Sequence, residues 1–254
     1  MCCGLMVTDC LKPRDRYNAA SLCAFTPLSM SKSTAWLALC LLLLFSIVFY
    51  VYPQLDLSAS RYFYHQDAGF VWAHSQWAMM IRHVLYVLVY LVYGISILVL
   101  LLKLCRVSWC RLPTRVAALV VFSFALGPGL LVNAVLKNHW GRPRPYQVQQ
   151  FHGHAVFQKP WVISNQCNAN CSFVCGDASA AFAFWALLPL FRRRRARVTY
   201  GVAVLGFGLC IGLLRMAQGG HFLSDVLLSG CLVYLVTWLG HWWLYRKHNL
   251  KEGT

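Results

Sequence analysis

Acidic residues are what this sequence has least of: Asp and Glu total 7 in 254 residues, and charged residues of both signs make up only 12%. A soluble domain carries about 25% charged residues. With 59% of the chain hydrophobic, a soluble globular fold is excluded and an integral membrane protein is expected. Internal repeats are lacking, as is any polar stretch long enough for a soluble domain. Residues 1–33 lack the apolar core and small-residue cleavage site of a signal peptide. They are expected to form a cytoplasmic tail, with Met30 a second candidate start. The nine His residues are scattered, and Cys167, Cys171 and Cys175 have no fourth ligand beside them, so neither a metal nor another cofactor is expected.

What is present is a series of apolar runs of the length that spans a bilayer, about 20 residues each. They predict an all-α bundle of six transmembrane helices over Ala35–Tyr52, His83–Leu102, Val116–Leu136, Ala178–Phe191, Val198–Leu214 and Phe222–Tyr245. The fourth reaches spanning length by starting near Cys175, and Gly127, Pro128 and Gly129 are expected to bend the third. The aromatic-rich stretch Leu55–Trp77 suits a membrane interface. The bundle would occupy residues 34–246, with a second cytoplasmic tail over 247–254. Sixteen of the 23 Lys and Arg fall in the two tails and the second-to-third and fourth-to-fifth loops, among them Arg192, Arg193, Arg194, Arg195 and Arg197. The remaining seven are Arg61, Arg82, Lys137, Arg142, Arg144, Lys159 and Arg215. By the positive-inside rule both termini are cytoplasmic. The net charge of +16 then reports topology, and no nucleic-acid partner is implied.

Three short stretches fall together on the opposite side: Lys137–Pro145 (KNHWGRPRP), Cys171–Ser179 (CSFVCGDAS) and Arg215–Asp225 (RMAQGGHFLSD). Cations at a membrane boundary are costly unless solvated, paired or used. Lys137, Arg144 and Arg215 have no acidic run beside them, and guanidinium and ammonium groups suit a multiply charged anion such as phosphate. His221 and Asp225 stand four residues apart, on one helix face. Asp225 is therefore expected to accept a hydrogen bond from one imidazole nitrogen and leave the other as a lone-pair donor, as a nucleophilic His requires. A structural His–Asp staple is the alternative. Cys167 and Cys171, on the oxidising side, are expected to form a disulfide. Cys2, Cys3, Cys10 and Cys23 are expected to stay reduced in the cytoplasm.

Lys137 followed after six residues by Arg144-Pro145, and Arg215 followed by His221 and Asp225 at gaps of five and three residues, resemble the first and third motifs of the type 2 phosphatidic acid phosphatase superfamily. Val174-Cys175-Gly176-Asp177 aligns with that family's middle motif, usually Pro-Ser-Gly-His. The resemblance implies a membrane phosphatase in which His221 attacks phosphorus, Asp225 orients it, and Lys137, Arg144 and Arg215 hold the phosphoryl oxygens. The Arg-rich cytoplasmic loops and the lack of eukaryotic sorting signals suit a bacterial inner membrane with the site facing the periplasm, where the plausible substrates are lipid A, undecaprenyl pyrophosphate and phosphatidylglycerol phosphate. The segment Leu55–Trp77 resembles the corresponding region of bacterial members, lipid A phosphatases among them. A lipid phosphotransferase using the same site, and a non-catalytic binder or transporter of anionic lipid, are the alternatives.

Two departures from the pattern bear on the chemistry. Leu214 stands where the third motif usually has Ser. In the middle motif only Gly176 is retained, and Asp177 stands where the family has its leaving-group acid. A carboxyl of ordinary pKa, about 4, is a poor acid at neutral pH. Asp177 is thus open between proton donor and helix N-cap. Cys175 and Gly176 are expected to border the phosphate, Cys175 through its backbone N–H at a helix start. His139, His152 and His154 are expected to shape the substrate entrance.

Overall fold

The computed structural model describes residues 30–106 and 112–249, and these are mostly helical. The expected tail up to residue 29 with its four cysteines, Arg111, and the last residues from 250 lie outside the described residues. Helix α1, Lys32–Val51, begins at Ser31, whose side chain accepts the Thr34 N–H at 3.2 Å, and stops just before Pro53. Helix α2, Gln54–Arg61, is short and is followed by a two-stranded antiparallel hairpin, β1 Tyr64–His65 and β2 Gly69–Phe70. Helix α3, Gln76–Leu104, is capped by Ser75. It starts earlier than the expected His83 because the preceding turn, though polar and aromatic, is still helical.

Helix α4, Thr114–His139, changes its winding midway. Ala125–Leu136 is a π-helix that contains Pro128. Pro128 has no N–H to donate and its ring displaces the carbonyl one turn back, so wider winding accommodates it. The expected bend is a wider coil. Helix α5, Gly176–Leu190, is α over Gly176–Phe182 and 3₁₀ over Ala183–Leu190. Helices α6, Arg194–Ala217, and α7, Leu223–Asn249, complete the bundle. Among the described residues, five helices (α1, α3, α4, α6 and α7) are long and apolar enough to cross a membrane, and α5, the fourth expected span, is shorter.

Packing divides these helices into two kinds. Val116, Val120, Phe124, Phe182, Met216, Val226 and Val233, from α4, α5, α6 and α7, form the central core. The first half of α5 is buried along its whole length, so its N-terminus is held inside the bundle. Helices α1 and α3 bury little, and leave Leu43, Ile47, Leu91 and Leu98 exposed. Such outward apolar faces suit lipid contact. The aromatic stretch after α1 is tied to the loops carrying the motifs: Phe70 packs with Val148, Phe151 and Phe222. This docking also brings Asp56 of α2, fully buried, against the start of α7.

Candidate active site

The first turn of α7 needs acceptors for backbone N–H groups that no helical carbonyl can satisfy. Asp225 supplies one, accepting the Phe222 N–H at 3.0 Å, and Asp56 accepts the Ser224 N–H at 2.8 Å. Two fully buried carboxylates thereby meet, and Arg142 answers both. Its Nη1 donates to Asp225 Oδ1 at 2.6 Å and its Nη2 to Asp56 Oδ2 at 2.8 Å, with all three side chains at 0% exposure. The guanidinium also donates to the Gln158 carbonyl and Ser224 Oγ, and lies 4.5 Å from the Phe222 ring centroid. Four of the five N–H donors of Arg142 are thereby engaged, and it anchors the site. Burial pushes the Asp56 carboxyl up from its ordinary value, Arg142 opposing and Asp225 adding to the push. For Arg142, burial works against the charge, but Asp225 and Asp56 outweigh it and raise the pKa.

Above this anchor stands His221, 1% exposed. Its Nδ1 lies 2.7 Å from the Ser172 carbonyl oxygen, whereas Asp225 Oδ2 is 3.8 Å away. The expected hydrogen bond between His221 and Asp225 is therefore not made. Asp225 is turned to the helix start, to Arg142 and to Ser172 Oγ, which donates to it. The consequence for the imidazole is the one anticipated, by another route. A carbonyl can only accept, so Nδ1 carries the hydrogen and Nε2 presents its lone pair. Burial lowers the His221 pKa to about 4, against the pull of Asp225 and with Lys137 and Arg215 adding to the shift. The imidazole is neutral at physiological pH.

Lys137, Arg144 and Arg215 do converge, as their spacing predicted. Each lies within electrostatic reach of the others, and Lys137 and Arg215 act on His221. Lys137, at the end of α4, is 7% exposed, with its Nζ 3.3 Å from Asn170 Oδ1. Arg144 donates to the Asn170 carbonyl at 2.7 Å. Asn170 sits in the small loop closed by the Cys167–Cys171 disulfide, whose Cα atoms are 5.8 Å apart. Gly176 is required here by close approach: a Cβ on it would stand 3.1 Å from Lys137 Nζ and 2.9 Å from Asn133 Oδ1.

Both readings of Asp177 need correction. It is the second residue of α5; the N-cap is Cys175, and no side chain caps the helix there. The Asp177 carboxylate faces sideways instead. Arg82 of α3 donates to its Oδ2 at 2.7 Å, Arg215 Nε pairs with the same oxygen at 3.0 Å, and the Tyr86 hydroxyl donates to Oδ1. Two guanidinium charges, with the Arg82 Nε and Tyr86 hydroxyl as hydrogen-bond donors, are the surroundings of an ionised carboxylate, which a protonated acid would disrupt. The Cys175 N–H expected to meet phosphate donates to the Asp225 carbonyl at 3.1 Å. His139, His152 and His154 are exposed. His152 and His154 border an open depression, described below.

Residues 117–249, more than half the chain, match the PAP2 superfamily. The chain belongs to that superfamily. The protein named Lipid A 4'-phosphatase from Francisella tularensis subsp. novicida (strain U112) is 39% identical over 202 residues, 79% of this chain and 91% of the relative. Proteins of the same name from Rhizobium leguminosarum and Rhizobium etli (strain ATCC 51251 / DSM 11541 / JCM 21823 / NBRC 15573 / CFN 42) are each 40% identical over 104 residues. That is 41% of this chain, and 44% and 40% of those relatives. No solved structure matches. This PAP2 protein is a phosphatase-class hydrolase with transmembrane character.

Proposed function

We propose that this PAP2 protein removes a phosphate from lipid A, or a closely similar phosphorylated glycolipid, at the periplasmic face of a bacterial inner membrane. The substrate follows the names of its relatives. The observation that carries the chemistry is the buried, neutral His221, its Nδ1–H fixed by a carbonyl and Lys137 and Arg215 acting on it. A binder of anionic lipid has no use for an imidazole so fixed. His221 Nε2 attacks phosphorus; the P–N bond forms as the bond to the sugar oxygen breaks. Lys137, Arg144 and Arg215 hold the non-bridging oxygens as charge builds on them. The backbone donor place expected of Cys175 passes to Gly176. Water then attacks phosphorus, breaks the P–N bond and releases inorganic phosphate. The test is phosphate release by purified protein in detergent from lipid A, undecaprenyl pyrophosphate and phosphatidylglycerol phosphate. Lipid A is expected to be the preferred substrate, and no release from any of the three overturns the reading.

The membrane placement proposed is six spans with both termini cytoplasmic. Helix α5 supports the sixth despite its short sequence. Seven α residues rise about 10 Å and eight 3₁₀ residues about 16 Å, together close to the thickness of a hydrocarbon core. Reporter fusions after Arg197 and after Tyr146 are expected to report cytoplasm and periplasm respectively. The same compartment at both points excludes this topology.

In this mechanism Asp177 positions Arg215, and the leaving oxygen takes its proton from water. Asp177→Asn removes the charge that both Arg82 and Arg215 answer, and is expected to lower kcat/KM by about 10- to 100-fold without changing the shape of the pH profile. Arg82→Gln is expected to cause a similar loss, and the double variant little more than either alone, because the two side chains act through one contact. Loss of an alkaline limb in Asp177→Asn alone would make Asp177 the proton donor after all.

A further inference from the structure

The segment that directly follows Arg144 borders an open depression of about 620 Å³, within the range of about 300–1,000 Å³ typical of small-molecule sites. Its lining offers a phenol (Tyr146), amides (Gln147, Asn165 and Gln166) and imidazoles (His152 and His154), and contains no carboxylate, Lys or Arg. Such a surface offers little to a phosphate, whose charge is better met by the neighbouring cations. Nor does it suit acyl chains, because its donors and acceptors would be buried against hydrocarbon. It matches a neutral ligand with many hydroxyl and amide groups.

The depression is also built into the active site. Gln147 Oε1 accepts the Arg144 N–H at 2.8 Å, and the Tyr146 N–H donates to the Gly219 carbonyl, two residues before His221, at 3.2 Å. Gln166 Oε1 accepts the Val156 N–H at 3.0 Å, and the next residue is the disulfide-bonded Cys167. Gly153 lets two backbone segments meet at the floor, where a Cβ would stand 2.0 Å from the Gln147 carbonyl oxygen. The same residues that fix Arg144 therefore fix the depression relative to it.

We propose that this depression is a sugar subsite: it receives the hexosamine ring that carries the scissile phosphate, while Lys137, Arg144 and Arg215 hold the phosphate itself. The proposal rests on the glycolipid phosphatase reading and adds which surface distinguishes a sugar-borne phosphate from a glycerol-borne one. A substrate without ring hydroxyls and amides forgoes these hydrogen bonds and is expected to bind this surface more weakly.

The test uses full-length protein in detergent and a lipid bearing a phosphorylated glucosamine disaccharide. In a Tyr146→Ala/His154→Ala double variant, KM for this glycolipid is expected to rise about tenfold with kcat within about twofold, the signature of lost uniform binding. Tyr146→Phe, which keeps the ring and removes only the hydroxyl, is expected to raise KM by a few-fold. The ratio of kcat/KM for the glycolipid to that for phosphatidic acid of matched chain length is expected to fall in parallel wherever phosphatidic acid is turned over. An unchanged KM in both variants, or a fall in kcat with KM unmoved, overturns the sugar subsite and leaves the phosphatase reading standing. A wild-type protein that releases no phosphate from the glycolipid overturns both.

Discussion

His221→Ala is expected to lower kcat by roughly 10⁴-fold or more, because no other group in the site can take over as nucleophile. The more informative comparison is with the residues around it. Asp225→Asn is expected to cost about 10²- to 10³-fold. It leaves Nδ1 on the Ser172 carbonyl but unbalances the charges around Arg142. Ser172→Ala keeps the backbone carbonyl and removes only the hydroxyl that donates to Asp225, so a loss of about tenfold is expected. The discriminating value is the tenfold loss in Ser172→Ala: it is expected where Ser172 Oγ holds Asp225, whereas for an imidazole held directly by the carboxylate Ser172 would be indifferent. Rapid quench should trap an acid-labile phosphoenzyme in the wild type and none in His221→Ala. A phosphoenzyme that survives His221→Ala places the nucleophile elsewhere. The pH profile carries a further check with a definite sign. His221 attacks as the free base and its pKa is lowered to about 4. Its protonation should therefore limit kcat/KM only as pH falls toward 4, not near the 6.5 of an ordinary imidazole. An acid limb centred near 6.5 that is lost in His221→Ala would contradict the buried, neutral imidazole.

Much of this arrangement is legible in the sequence, for reasons that also explain what is not. The spans follow from apolar length, and the phosphate-side cations from charges placed where a membrane boundary makes them costly. Those are local properties of a run of residues. Arg142 lay in view between Lys137 and Arg144, but nothing local distinguishes a guanidinium that meets phosphate from one buried beneath the site. Its partners Asp56 and Asp225 are 86 and 83 residues away. Ser172 contributes a backbone carbonyl, which every residue type possesses, so no side-chain pattern could reveal it. Arg82 and Tyr86 sit inside an apolar run, and become meaningful only once α5 places Asp177 against α3. The scarcity of acids is itself a signal. In a chain with 7 acids among 254 residues, each acid near a membrane boundary, Asp56 included, is a candidate for the site. Of the four acids among the described residues, Asp56, Asp177 and Asp225 all pair with arginine at the site, and only Asp67 stands outside it.

Arg142→Ala is expected to be the most destabilising single substitution at the site. It would leave Asp56 and Asp225 facing each other at 0% exposure, with Ser224, Ser172 and backbone N–H groups as their only remaining donors. Removing one partner from a buried ion pair typically costs about 3–5 kcal/mol, because an uncompensated charge is left behind. For a protein of this size that corresponds to a fall in thermal midpoint on the order of 10 °C. Arg142→Lys should recover only part of it. An ammonium is a point charge without the planar fork that reaches Asp56, Asp225 and the Gln158 carbonyl together. Asp56→Asn should be much milder, since it leaves one carboxylate opposite one guanidinium and keeps an acceptor for the Ser224 N–H. If the network is an anchor for α7, Asp56→Asn introduced into Arg142→Ala should restore part of the lost midpoint by removing one of the two unpaired charges. Thermal unfolding of the four proteins in one detergent, followed by intrinsic fluorescence, measures this directly. A midpoint for Arg142→Ala within 2 °C of wild type, or a double variant no more stable than Arg142→Ala, would mean that the two carboxylates do not depend on Arg142 for their charge. The start of α7, and with it His221, would then have to be held in place by packing alone.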